Sequence, residues 1–393
     1  VSARILVTDA EHRAALAVVR SLGRAGYQVI AAGSGRWPIG CASRHAGLSV
    51  RVPDPGASPE AFRRRILELT ATVAPDLVLP VTEAAILALL PERRGLGPAR
   101  LPLPPDEVVR RVLDKREVLA AAASCGIAVP AQAVLEDAAA LAGTPLPPLP
   151  NVLKGARSLE HDGTHPVKTP RAYADSGTER ERAITAFPPA AFPLLVQQRI
   201  VGEGTGVFVL LWQDRVLATF CHRRIREKPP AGGVSTCCES VPPDPGLIAA
   251  SVELLRRLEW SGVAMVEFKR DAASGVPYLM EINGRFWGSL QLAVDAGVDF
   301  PALFVRAALG EAVEPVTAYR TGIRSRWWWG DVDHLLARLR RGGEALHLPP
   351  DAPSTAWTAF EVLRLGAGQR GDVGRLSDPL PFVAETLAWF GAL

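Results

Sequence analysis

Three polar residues spaced two apart, Glu281, Asn283 and Arg285, interrupt an otherwise apolar run that begins at Tyr278-Leu279-Met280. Just upstream lies Met265-Val266-Glu267-Phe268, a second apolar stretch with a single carboxylate. Both stretches alternate as strands do, and Gly275-Val276-Pro277 supplies turn residues, so the pair reads as a β-hairpin. Side chains alternate along a strand, which puts Glu281, Asn283 and Arg285 on one face. If the hairpin register brings Glu267 alongside, two carboxylates and an amide oxygen converge with a guanidinium close by. Such oxygens are the hard ligands that magnesium prefers, and magnesium keeps its remaining positions for substrate phosphates and water. The expected metal ligands are therefore Glu267, Glu281 and Asn283, around a metal-bound nucleotide. A lone Glu-x-Asn is more often a solvated strand face than a site; the joint pattern carries the reading.

Composition sharpens it. The chain holds only two Asn, Asn151 and Asn283, and only five Lys, at 115, 154, 168, 228 and 269, against 39 Arg. A chain that meets its surface charge with Arg is expected to keep Lys where a compact ammonium is needed, and Lys binds phosphate as a point charge. At 393 residues, with 48% hydrophobic and 22% charged residues, two or three globular domains are expected. A net charge of +3 with no block of like charges disfavours nucleic-acid binding. The five Cys lack metal-type spacing, and Cys237-Cys238 are adjacent, so reduced structural thiols are expected. No stretch reads as a membrane span or a targeting segment, which fits a cytoplasmic location and no membrane partner.

The elements that must position these residues follow in order. Arg4–Thr8, a helix over Ala14–Leu22 and Gln28–Ala32 make a βαβ unit, and Leu48–Val50, a helix near Pro59–Val73 and Leu77–Pro80 repeat the rhythm, which predicts a parallel sheet. The first turn, Thr8-Asp9-Ala10-Glu11-His12, has no glycine-rich dinucleotide fingerprint. Thr8, Asp9 and Glu83 sit at strand ends, where loop polarity explains them as well as function does. From Asp106 a helix is expected to run through Asp114-Lys115, and Leu135–Pro150 reads as a short helix with a loop. Val207–Trp212 and Arg215–Phe220 flank Gln213-Asp214 as a hairpin. Leu247–Leu258 is an amphipathic helix, and Val332–Arg341 and a terminal helix close the chain. Trp327-Trp328-Trp329 is read as a strand packed on the sheet or on a subunit partner, which would make a homodimer.

At Glu267, Glu281-x-Asn283-x-Arg285, Gly202-Glu203-Gly204 and His222-Arg223-Arg224-Ile225-Arg226-Glu227-Lys228 the chain resembles the ATP-grasp superfamily, and within it the carboxylate-amine ligase-like branch. The resemblance covers about residues 110–315. It implies an α/β fold: a Rossmann-like parallel-sheet domain over 1–105, a two-lobed ATP-grasp domain over 106–315 with lobes at about 106–195 and 196–315, and a C-terminal extension over 316–393. It also implies ATP and Mg2+, or Mn2+ in its place, held by Glu267, Glu281 and Asn283. Lys115 and Lys154 would reach the phosphates. Lys154 is followed by Gly155 where the family has Pro, which leaves the ammonium available. Ser158–Lys168, with Asp162-Gly163-Thr164, would cover the phosphates. Gln197, Gln198 and Ile200 would hold the adenine through their backbone, Gln198 standing where the family has Glu, and Glu203 would bind the ribose. Arg285 would contact the transferred phosphoryl group, with Arg226 and Lys228 as further catalytic cations and His222 a weak acid/base candidate.

The implied reaction activates a carboxylate as an acyl phosphate and couples it to an amine, an amino acid or a peptide being plausible partners. Two alternatives stay open: bicarbonate activation of the carboxylase or carbamoyl-phosphate type, and a nucleotide-binding protein without turnover.

Overall fold

The computed structural model describes residues 2–161, 166–341, 346–348, 352–364 and 369–391. The chain begins with Arg4–Val7 (β1), Arg13–Arg24 (α1), Gln28–Gly33 (β2), Leu48–Arg51 (β3), Pro59–Val73 (α2), Leu77–Leu79 (β4) and Glu83–Leu89 (α3). The four strands form a parallel sheet in the order β3-β2-β1-β4, as the strand–helix rhythm predicts. Asp9, left-handed at φ 59°, ties the sheet's end together: its carboxylate accepts from the Val81 and Thr82 amides and from Thr82 Oγ1. Thr82 in turn caps α3, so the turn that starts with Glu83 is rigidly held.

Next come Asp106–Leu113 (α4), Lys115–Ser124 (α5), Gln132–Leu135 (β5), Asn151–Gly155 (β6), Leu159–His161 (β7), Pro166–Lys168 (β8), Arg171–Ala174 (β9), Gly177–Ala186 (α6) and Leu194–Gln198 (β10). Strands β5-β10-β6-β9 make an antiparallel sheet with its own small core around Leu135, Leu153, Ile184 and Leu194. The helix expected to run through Asp114-Lys115 is broken there. Asp114 is extended, and its carboxylate caps α5 by accepting from the Arg116 amide, which makes Lys115 the first residue of a new helix. Where a loop over the phosphates is expected, β7 and β8 pair as a hairpin; Asp162, Gly163 and Thr164 lie outside the described residues.

The remainder is organised by one large sheet. Gly202–Trp212 (β11), Arg215–Lys228 (β12), Val234–Ser240 (β13), Pro245–Arg257 (α7), Gly262–Asp271 (β14), Pro277–Asn283 (β15), Leu290–Ala296 (α8) and Phe300–Leu309 (α9) precede Arg324–Arg326 (β16), Trp328–Arg340 (α10), Thr355–Leu363 (α11), Gln369–Gly371 (β17) and Leu380–Gly391 (α12). The sheet order is β15-β14-β11-β12-β13-β16-β17. Its two faces bury different cores. Phe208, Met265 and Trp287 pack toward α1, α8 and α9, whereas Val207, Phe268 and Leu279 pack toward α4, α5 and α7. The turn Gln213-Asp214 has φ of 48° and 65°, the paired positive values of a two-residue hairpin loop.

The tryptophan run corrects its expected strand. Trp327 precedes α10, and Trp328 and Trp329 lie in its first turn. Trp329 stacks on Trp389 of α12 at 4.2 Å, and Trp327 Nε1 donates to Glu385, so the run docks the terminal helix, while the Trp327 amide donates to the Thr236 carbonyl of β13. This C-terminal segment is locked to α1 by Arg20, which is 1% exposed. Its guanidinium donates to Asp378 Oδ2 at 2.8 Å and to the carbonyls of Asp372, Val373 and Asp378. Arg20→Met leaves a buried carboxylate and three carbonyls without this donor; it is expected to lower stability by about 3–5 kcal/mol, read as a fall in the urea midpoint.

Candidate active site

In the hairpin of β14 and β15, Glu267 stands directly opposite Glu281, and Met265 opposite Asn283. The register that brings the carboxylates together is thus present. Asn283 Nδ2 donates to Glu281 Oε1 at 3.3 Å, and Arg285 Nη2 donates to Asn283 Oδ1 at 2.9 Å. Arg285 Nη1 also reaches the Phe286 carbonyl, so Glu281, Asn283 and Arg285 form one continuous polar chain.

Cations arrive from other elements. Lys115 Nζ, at the start of α5, lies 3.8 Å from Glu281 Oε2 and donates to Ser158 Oγ at 3.0 Å. Lys154 comes from β6 and Arg171 from the neighbouring β9, and both charges act on Glu281. Arg224 of β12 donates through Nη2 to Glu267 at 2.7 Å and through Nη1 to Glu227 at 2.8 Å. Glu83, at the rigid turn after β4, faces Lys115, Arg285 and Glu281, and its Oε1 is buried with no partner among the described residues.

These neighbours set the charge states. Burial alone would raise the Glu281 carboxyl, but Lys115, Lys154, Arg171 and the Asn283 amide together bring it down to about 2. Glu267 stays above the ordinary carboxylate range, because burial and the Glu281 and Glu227 charges outweigh Arg224. Burial and the adjacent Lys115 push the Lys154 ammonium down to about 7, against the pull of Glu281 and Glu267. Glu83 is raised, chiefly by burial.

Several other expected site residues are held away from the Glu267–Glu281 pair. Arg226 makes two bonds to Asp331 of α10, at 2.9 and 2.6 Å, and Lys228 pairs with Asp333 of the same helix. Two register shifts in the β12–β13 ladder, either side of Arg226, break the simple alternation that would keep Arg224, Arg226 and Lys228 equivalent. Arg226 and Lys228, expected as catalytic cations, are thus turned to α10, and Arg224 is the residue of this strand that pairs with Glu267. Glu203 is also corrected. It lies an odd number of residues from Gly206, the partner of Glu267 on β11, so it projects from the opposite face and pairs with the exposed Arg223 at 3.4 Å. His222 is fully buried against Phe208, and burial holds its imidazole well below the usual range, which fits a core role. Gln197 is buried and donates to Gln132 Oε1, the Gln198 amide donates to the Ala131 carbonyl, and Ile200 is buried at the start of the link to β11.

Residues 191–330 match the family described as ATP-grasp in the biosynthetic pathway with Ter operon. About four-fifths of the chain superposes on solved structures that share one fold. The L-amino acid ligase from Bacillus licheniformis is 16% identical with a TM-score of 0.60, over 79% of this chain and 75% of that one. The chain has the ATP-grasp fold. An ADP complex of N5-carboxyaminoimidazole ribonucleotide synthetase is 14% identical with a TM-score of 0.62, covering 82% of this chain and 80% of its own. The biotin carboxylase from Campylobacter jejuni is 15% identical with a TM-score of 0.61, covering 82% and 74%. No curated protein matches the chain by sequence.

In this fold Lys154 and Arg171 of the β5-β10-β6-β9 sheet, with Lys115 of α5, thus act on Glu281 of the large sheet, where Glu267, Asn283 and Arg224 also stand. Arg171 and Arg224 were not singled out in the sequence. Lys269, one of the five Lys, also lies on the Glu267 strand, with its ammonium lowered by burial. The two carboxylates fit a divalent ion: opposed, largely buried and accompanied by an amide oxygen, they form a hard anionic set that here requires neighbouring cations.

With only five Lys in the chain, the side-chain nitrogen of Lys154 is open to direct titration by NMR. Its midpoint is expected near 7. It should rise in Lys115→Met, which removes a repelling charge, and fall in Glu281→Gln, which removes an attracting one.

Proposed function

We propose that this chain is an ATP-dependent, ADP-forming ligase that activates a carboxylate as an acyl phosphate and joins it to an amine. The observation that carries this reading is the pairing of Glu267 with Glu281 across β14 and β15, completed by Asn283 and Arg285 and faced by Lys115, Lys154 and Arg171. That arrangement suits phosphoryl transfer, in which the protein mainly positions groups and offsets charge.

Glu267, Glu281 and Asn283 would hold magnesium, which when bound neutralises phosphate oxygens and aligns them. Lys115 and Lys154 would offset charge on the nucleotide phosphates. Lys154, with its ammonium near 7 in the free protein, would take up a proton as the phosphates approach. The backbone of Gln197, Gln198 and Ile200 would cradle the base. Arg285, braced by Asn283 and Phe286, would steady the transferred phosphoryl group. In the first half-reaction the acid's oxygen bonds to the γ-phosphorus and ADP leaves. In the second the amine nitrogen bonds to the acyl carbon, phosphate leaves and the amine loses a proton. Glu83, whose carboxylate lies within charge range of Arg285, Lys115 and Glu281, would be the acid to receive an ammonium substrate.

The solved structures of like fold include an L-amino acid ligase, which favours an amino acid as one substrate, and biotin carboxylases, which keep bicarbonate activation as the second reading. Phosphate release from ATP and magnesium, measured with pooled amino acids and separately with bicarbonate alone, divides the two. Release with amino acids and not with bicarbonate is expected; release with neither would leave a nucleotide binder. Glu281→Gln and Asn283→Ala are each expected to lower turnover by about 10^2-fold or more with the fold retained by circular dichroism. Wild-type turnover in either variant would remove that residue from the site.

A further inference from the structure

Arg224 reaches Glu267 directly from β12. Its guanidinium is divided between two carboxylates. Nη1 is anchored to Glu227 at 2.8 Å and to the Gly233 carbonyl at 3.0 Å, whereas Nη2 alone holds Glu267 at 2.7 Å. Nε is buried and has no partner among the described residues. The side chain is 9% exposed, and its stem lies over Gly204, where an added Cβ would come within 3.0 Å of Arg224 Cδ. Gly204 on β11 therefore makes room for this side chain on the face that carries Glu267.

We propose that Arg224 is an exchangeable counter-ion. It neutralises Glu267 in the metal-free protein, yields that carboxylate to the divalent ion, and turns the freed Nη2 with the unmet Nε toward the anion that the ion brings. The inference rests on Glu267, Glu281 and Asn283 being the metal set. The geometry favours it because the exchange breaks one contact only: the anchor to Glu227 and Gly233 stays, so the guanidinium neither leaves the cleft nor loses its partner charge. Glu267, part-buried opposite Glu281, is best kept ionised by a cation, so Arg224 and the metal compete for it. The released donors then meet a phosphate or acyl-phosphate oxygen as charge develops there. A consequence is that the free protein binds the metal weakly, and the metal enters best together with an anionic ligand.

The test is Mn2+ binding without nucleotide, followed by the electron paramagnetic resonance signal of the free ion, in wild type, R224M and R224K. R224M is expected to bind Mn2+ at least ten-fold more tightly than wild type, and R224M/E267Q to lose that gain. R224K, which keeps one charge but cannot span both carboxylates, is expected to fall between; it decides the matter if R224M does not fold. Melting adds a second readout: EDTA should lower the melting temperature of R224M more than that of wild type, with Mn2+ restoring it. Equal or weaker Mn2+ binding in both Arg224 variants overturns the proposal. Failure of the metal reading itself looks different, as Mn2+ binding that neither E267Q nor E281Q changes in the wild-type background.

Discussion

Two carboxylates facing each other across one strand pair cannot be buried unless positive charge is brought to them, and the large sheet is arranged around meeting that condition for Glu267 and Glu281. The counter-charges come from separate parts of the chain: Lys115 from a helix start, Lys154 and Arg171 from the second sheet, and Arg224 from the strand beyond β11. Each is useful only because the element under it is rigid. The Asp114 cap fixes where α5 begins, and the Asp9–Thr82 network fixes where Glu83 points. Local stops and turns on either side of the cleft therefore decide the electrostatics at its centre.

The site was legible in the sequence where the period of the backbone was regular. Residues 281, 283 and 285 share parity, and the structure keeps them in one hydrogen-bonded chain. Helix α2 begins at Pro59 and ends at Val73 as the apolar spacing indicates, and the parallel order of the first sheet follows from its alternating elements. Legibility failed where the period broke. The register shifts around Arg226 hid the fact that Arg224, not its neighbours two and four residues on, reaches Glu267. Glu203 came from the resemblance, which says nothing of parity, and parity places it on the other face.

Tertiary structure overrode local preference elsewhere. Three successive tryptophans have strong strand propensity, yet only Trp327 is extended; Trp328 and Trp329 open α10, where Trp329 stacks on the terminal helix. A helical pattern through Asp114 was real on both sides of it, but an aspartate that bonds the amide two residues ahead gains more as a cap than as a helix interior residue. Arg171 carried no sequence signal at all. One arginine among 39 becomes distinctive only when its strand is seen to lie beside that of Lys154.

The two margins of the large sheet have unlike guardians. At β15 the margin is sheltered by α4 and α5, whereas on the far side β16 and β17 contribute three residues each among the described residues. Short outermost strands offer a foreign chain little backbone to zip onto. The last seventy residues thus act as a hem. Without it, the seven-residue strand Val234–Ser240 would become the open border, and self-adhesion between molecules, rather than loss of chemistry, would be the first symptom.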